Sequence, residues 1–302
     1  MADKQSIGFV GIGAMGWPMA SCLVKAGYDV TVYDTRSDHS ARFAAEVGAA
    51  SAASLAELAG KAQLIVTILP NSDIVEQVLF GEAGVAASLP AGATIIDMTS
   101  GVPSRTVEFA ERLAKAGHAL FDAPVSGGVA RARTGELTIM VGGDDGQVET
   151  HRPILEAMGS VIRTGPVGSG HAMKALNNLV SAGGFLIGIE ALLIGSKFGI
   201  DPEVIVDTLN SSTGTNNSTQ KKFKQFVLSR GFDSGFALDL MVKDLVIALD
   251  VAHDTKVNAP FANLCKELWS SASAVLGPGT DHTALARFSE MLAGNEIPER
   301  QP

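Results

Sequence analysis

Residues 7–16, Ile7-Gly8-Phe9-Val10-Gly11-Ile12-Gly13-Ala14-Met15-Gly16, decide how the first half of the chain folds. A short apolar strand runs into a Gly-x-Gly-x-x-Gly turn, and the helical spacing of residues 15–26 begins at once. Gly11 permits the tight turn, Gly13 lets the backbone approach a pyrophosphate, and Gly16 lets helix pack closely on strand. The helix start then offers unpaired N–H groups and the positive end of its dipole to phosphates, with Ile12, Ala14 and Met15 as intervening backbone. In a chain with 33 glycines the pattern alone is weak. Its place in the first βαβ unit gives it force, because the next strand-like run, residues 29–33, ends beside Asp34, where a ribose-binding carboxylate belongs. Such a carboxylate accepts from the adenosine 2′-hydroxyl and repels a 2′-phosphate, so NAD is expected over NADP. Arg36 is the residue that speaks the other way, since a guanidinium pairs with phosphate, but it reads as a solvated loop charge.

Outward from this turn, residues 64–69, 94–98 and 119–122 are strand-like, and 138–141 is a further candidate. Helical spacing fills 40–46 and 104–116. Strand and helix in alternation imply right-handed crossovers and a parallel, doubly wound sheet covered on both faces. After Gly165 the pattern becomes helical, with stretches at 171–198, 202–209, 220–228, 240–253, 261–274 and 284–292. The division expected is an NAD-binding Rossmann domain over 1–165 and a helical substrate and oligomerisation domain over 166–302, with the Gly/Pro run 165–170 as hinge. Residues 211–219 form a polar loop, and 295–302 a polar, frayed tail.

At 302 residues the chain is long enough for two cores. A net charge of -9 argues against nucleic acid or an anionic membrane as partner. Cys22 and Cys265 have neither disulfide nor metal spacing, and no metal cluster is expected. The polar start at residues 1–6 lacks the marks of a signal peptide, so a cytoplasmic location is expected. The apolar run 176–194 carries Asn177, Asn178 and Glu190, and reads as a buried core helix rather than a membrane span.

With residues 11–20 in view, and with Asp122-Ala123-Pro124-Val125-Ser126-Gly127-Gly128 further on, the sequence resembles the β-hydroxyacid dehydrogenase family (3-hydroxyisobutyrate dehydrogenase, tartronate semialdehyde reductase, L-threonate dehydrogenase). Two further blocks match it in the family's order: residues 168–178, Gly168-Ser169-Gly170-His171-Ala172-Met173-Lys174-Ala175-Leu176-Asn177-Asn178, and Lys243-Asp244-Leu245. The resemblance implies hydride transfer between NAD and a small anionic hydroxy acid, an active site between two domains, and a homodimer or homotetramer built through the helical part. It implies that Lys174 is the catalytic lysine and Asn178 its polar partner. It places Ser126, Gly127 and Gly128 on the substrate carboxylate, Leu69, Pro70 and Thr99 beside the cofactor, Lys243 near the nicotinamide, and Asp244 and Phe236 closing the site. The loop 211–219 departs from the aromatic-containing loop of the better-known members, which leaves the particular acid open.

The residue types suit that chemistry. An alcohol oxidised by hydride loss must also shed a proton, and a lysine whose pKa is lowered by burial can carry it in either direction. By its position alone, Lys174 near a helix start would snorkel to solvent; the resemblance favours the catalytic role. Asn177 and Asn178 follow by three and four residues and share or flank its helix face. Ser126-Gly127-Gly128 is a turn whose N–H groups can converge on an anion. Lys243 and Asp244 would by default be an exposed ion pair, and His171 a structural residue. Two alternatives stay open: an NADP-dependent semialdehyde or imine reductase on the same scaffold, and a catalytically silent dinucleotide-binding module.

Overall fold

The computed structural model describes residues 5–298. Residues 1–4 and 299–302, the last part of the expected polar tail, lie outside the described residues. The chain divides into two units, the first ending at Lys174 and the second beginning at Ala175.

The first unit alternates strand and helix: β1 Ser6–Val10, α1 Gly16–Lys25, β2 Asp29–Tyr33, α2 Ser37–Val47, β3 Ala50–Ser51, α3 Leu55–Lys61, β4 Leu64–Thr67, α4 Ser72–Phe80, β5 Thr94–Asp97, α5 Pro103–Lys115, β6 Ala119–Asp122, β7 Val125–Ser126, α6 Gly128–Thr134, β8 Leu137–Gly142, α7 Asp145–Glu156 and β9 Gly159–Gly165. The strand order is β3-β2-β1-β4-β5-β6-β8-β7, with β9 on β8. Strands β1 to β6 are parallel in the doubly wound order, which brings their carboxyl ends to one edge, where ligands bind. Beyond β6 the sheet is not purely parallel, since β8 runs antiparallel to both β6 and β7. The link through α6 is shorter than the dozen or so residues that a parallel crossover needs. Each face buries its own core, one around Phe9, Met19, Phe43 and Phe121, the other around Leu58, Ile65, Leu79 and Phe109.

Side-chain caps set several helix starts: Ser54 accepts from the Glu57 N–H, Asn71 from Ile74 and Asp144 from Gln147. Strands β3, β7 and β9 were not expected. The first two are two-residue pieces, and β9 is an edge-type strand of mixed polarity between glycines, which carries no clear alternation.

Helix α8, Ser169–Phe198, runs on into the second unit, which continues with α9 Pro202–Asn210, α10 Asn217–Lys221, α11 Leu238–Asp254, α12 Pro260–Leu276 and α13 Leu285–Ala293. The core of this unit packs Phe185, Phe223, Met241, Trp269 and Phe288. The polar loop is shorter than 211–219, because Asn216 and Thr219 form a reciprocal capping box that starts α10. The helix expected over 220–228 is broken, α10 ending at Lys221 and a π-helical turn occupying Phe223–Val227. The tail is not frayed at residues 295–298, since Ile297 is buried in the core and its N–H donates to Glu290 at 2.9 Å.

Helix α8 is also not fully a core helix. It buries Ala182, Phe185, Ile189 and Leu192 but leaves Val180 76%, Ile187 57% and Ile194 71% exposed, one apolar residue every seven along its length.

Candidate active site

In the first unit the glycine turn does what its spacing promised. Gly11 sits at φ +98°, and a Cβ there would lie 2.3 Å from the Ile68 carbonyl oxygen. At Gly16 a Cβ would lie 1.9 Å from the Gly11 carbonyl oxygen, so only glycine lets α1 start this close to the strand. Gly13 is different: a Cβ would meet no protein atom within 4 Å. Internal packing does not demand glycine there, whereas a pyrophosphate laid against the backbone would. Ala14 and Met15 complete the turn, and the Ile12 N–H donates to Asp34 Oδ2 at 3.0 Å, tying the turn to the end of β2.

Asp34 Oδ1 accepts the Arg36 N–H at 3.0 Å and Nε–H at 3.3 Å. Partial burial pushes the Asp34 carboxyl up, but these donors together with the Ile12 N–H outweigh it and hold the group below its usual range. Asp34 is thus an ionised acceptor. Beside it a groove of about 690 Å³ runs from Gly13 and Ala14 past Trp17, Lys25, Arg36, Arg42 and Arg133. Glu46 also lines the groove, 3.5 Å from Arg42, so cations outnumber the one acidic side chain of its lining, which fits a dinucleotide pyrophosphate.

Two other carboxyl-edge segments lie in the same unit. The Leu69 N–H donates to Thr99 Oγ1 at 3.0 Å, joining the segment after β4, with Pro70, to that after β5. Asp97 Oδ1 accepts the Thr67 hydroxyl at 2.9 Å and the Thr99 N–H at 3.1 Å. Ser126 ends β7, and Gly127 and Gly128 follow at φ +134° and +68°, backbone angles that side chains with a Cβ disfavour. Nothing stands within 4 Å of a Cβ built on Gly128, so this turn has room against its backbone.

Lys174 is half-buried on α8 and is the last residue of the unit. The turn before it is pinned by Asp122, whose carboxylate accepts the N–H groups of Gly168 at 2.6 Å and His171 at 2.7 Å. Complete burial drives the Asp122 carboxyl up, against the pull of His171 and of these two N–H groups.

In the second unit Asn178 is 7% and Asp244 2% exposed. Asn178 Nδ2 donates to Asp244 Oδ2, and Asn178 Oδ1 accepts from Asn177 Nδ2 at 3.1 Å. A carboxylate can only accept, so this contact fixes which way the Asn178 amide faces. Lys243 Nζ lies 3.2 Å from Asp244 Oδ1, so the pair is not the exposed one expected by default. Asn177, Asn178, Lys243 and Asp244 thus form one polar chain.

Phe236 is held by its backbone instead: its N–H donates to Asp281 Oδ2 at 3.2 Å and its carbonyl accepts the His282 N–H at 2.8 Å. Burial, then the Lys222 charge, push His282 down to about 4, and burial pushes Lys222 down to about 8. Neither Asp281 nor Lys222 was singled out in the sequence, because nothing local marks their pairing with residues far along the chain. The same holds for Asp97 and Thr106. Among the described residues no group of three or more His, Cys, Asp or Glu could hold a metal ion.

The model of the NAD binding domain of 6-phosphogluconate dehydrogenase matches residues 6–168, and that described as NAD-binding of NADP-dependent 3-hydroxyisobutyrate dehydrogenase matches 168–289. The 2-(hydroxymethyl)glutarate dehydrogenase of Eubacterium barkeri is 36% identical over 98% of this chain and 99% of its own. The 2-hydroxy-3-oxopropionate reductase of Escherichia coli K12 is 34% identical over 97% of this chain and 100% of its own. A solved Mycobacterium tuberculosis 3-hydroxyisobutyrate dehydrogenase, with L-serine, superposes with a TM-score of 0.87 at 29% identity, covering 95% of this chain and 99% of that one. A Streptomyces aurantiacus imine reductase, at 20% identity and a TM-score of 0.62, shares the fold alone.

Proposed function

The chain belongs to the β-hydroxyacid dehydrogenase family, and we propose that it interconverts a small β-hydroxy acid of the 3-hydroxyisobutyrate, glycerate or threonate type with its semialdehyde or keto acid. NAD, when bound, supplies the hydride acceptor. Gly11 to Gly16 and Asp34 hold its pyrophosphate and ribose, with Leu69, Pro70, Thr99 and Lys243 beside it. The donors of Ser126, Gly127 and Gly128 take the substrate carboxylate, and Phe236 borders the substrate. Lys174 accepts the hydroxyl proton in oxidation and returns it in reduction.

The observation that carries this reading is the Asn178–Asp244 contact. One turn after Lys174, a carboxamide is locked by a buried carboxylate, which is the preorganisation that a group orienting a substrate hydroxyl requires. A silent binding module would need the glycine turn but gains nothing from this arrangement. We further infer that a second copy of the chain covers the exposed Val180, Ile187 and Ile194 face.

Lys174→Ala tests the reading. It should lower kcat by 10²- to 10⁴-fold, about 3 to 5 kcal/mol in the barrier, with the NAD dissociation constant nearly unchanged. Lys174→Arg should be nearly as poor, because a guanidinium keeps the charge but does not release its proton. Wild-type kcat in the Ala variant would remove Lys174 from the chemistry.

A further inference from the structure

His171 is buried, three residues before Lys174, and has no part in the chemistry above. Its ring joins two segments that the reaction must keep in register. Thr106 Oγ1 lies 3.1 Å from the Val102 carbonyl oxygen and 2.8 Å from His171 Nδ1. The Thr106 hydroxyl and His171 Nδ1 are thus hydrogen-bonded, with the direction set by the imidazole tautomer. Nε2 has no hydrogen-bond partner and faces Asp97 Oδ2 at 3.9 Å.

The ring has no spare room. A Cβ on Gly101 would lie 2.9 Å from its Cε1 and 3.1 Å from its Nδ1. Asp97 and Gly101 flank Thr99, whose hydroxyl accepts the Leu69 N–H, and both Leu69 and Thr99 are assigned to the cofactor. On its backbone side His171 donates to Asp122, which clamps the first turn of α8. One buried imidazole thus touches the loop that carries Thr99 and belongs to the turn that leads into Lys174.

We propose that His171 is a positioning residue that sets Lys174 relative to the Thr99 edge of the cofactor site. The proposal rests on the reading of Lys174 as proton carrier. A helix turn that shifts by about 1 Å misaligns the proton carrier and costs on the order of 10²-fold in rate while leaving the glycine turn intact.

Two variants test it by different routes. His171→Phe keeps a ring and removes both nitrogens; Gly101→Ala keeps the nitrogens and displaces the ring. Both should lower kcat by about 10- to 100-fold and raise the primary isotope effect from substrate deuterated at the reacting carbon. The NAD dissociation constant, read by tryptophan fluorescence, and the melting temperature of the protein without NAD should stay near wild type. A wild-type kcat and isotope effect in a folded His171→Phe protein would overturn the proposal. So would a loss of kcat matched by an equal loss of NAD affinity, the mark of a merely structural role. If the Phe variant does not fold, His171→Gln and Gly101→Ala read the same quantities. Lys174→Ala, assayed beside them, separates the two readings: if it stays active, the reading of Lys174 falls, and if it is inactive while the His171 variants match wild type, only the present proposal falls.

Discussion

Under the proposed function, cofactor choice turns on Asp34. Its Oδ2 is bound to the glycine turn and its Oδ1 to Arg36, so the carboxylate is fixed in place and its charge is kept by its donors. Arg36, the residue that would favour a 2′-phosphate, is drawn to Asp34 itself. Wild-type kcat/KM should therefore be higher with NAD than with NADP, and Asp34→Ala should shrink the ratio by about tenfold or more, since it removes the carboxylate's hydrogen bond and its repulsion together. A higher kcat/KM with NADP in the wild type would reverse the ribose-carboxylate argument. Asp34 was legible in the sequence because it belongs to a local pattern: strand, glycine turn, helix, strand. Asp97 and His171 were not, because their meaning lies in contact across the chain, and no short spacing announces that a histidine on α8 will lie beside the residues after β5.

At the scale of elements, α8 shows most clearly how far apolar content goes. Its length and near-continuous apolar sequence were plain, but composition does not say which side of a helix is covered. The second unit buries the stripe through Ala182, Phe185 and Ile189 and leaves Val180, Ile187 and Ile194 to solvent. A seven-residue apolar repeat on an exposed helix face suits a partner helix. Light scattering should find a homodimer or homotetramer, and the double variant Ile187→Asp, Ile194→Asp should sediment as a monomer that keeps its helical circular dichroism. A monomeric wild type at micromolar concentration would contradict this. Elsewhere the misplaced boundaries have local causes. A reciprocal cap between Asn216 and Thr219 turned polar sequence into helix, and β9 hid behind mixed polarity at the sheet edge.

For the whole molecule, the alternation of strand and helix followed by helix alone was enough to see a doubly wound unit and a helical one. Net charge was a guide as well: a chain at -9 that handles an anionic cofactor and an anionic acid has to gather its cations, and it does so beside the glycine turn. The particular acid was not legible, because it depends on which side chains line the substrate, and no local pattern in the sequence marks those. Hydride transfer on a carboxylate-bearing alcohol is tested by initial-rate reduction of NAD with 3-hydroxyisobutyrate, glycerate and threonate, each beside its uncharged amide. Turnover of at least one acid, with kcat/KM for its amide lower by about 10²-fold or more, is the result expected from a built carboxylate site. Tight NAD binding with no turnover of any acid, or equal turnover of acid and amide, would contradict it.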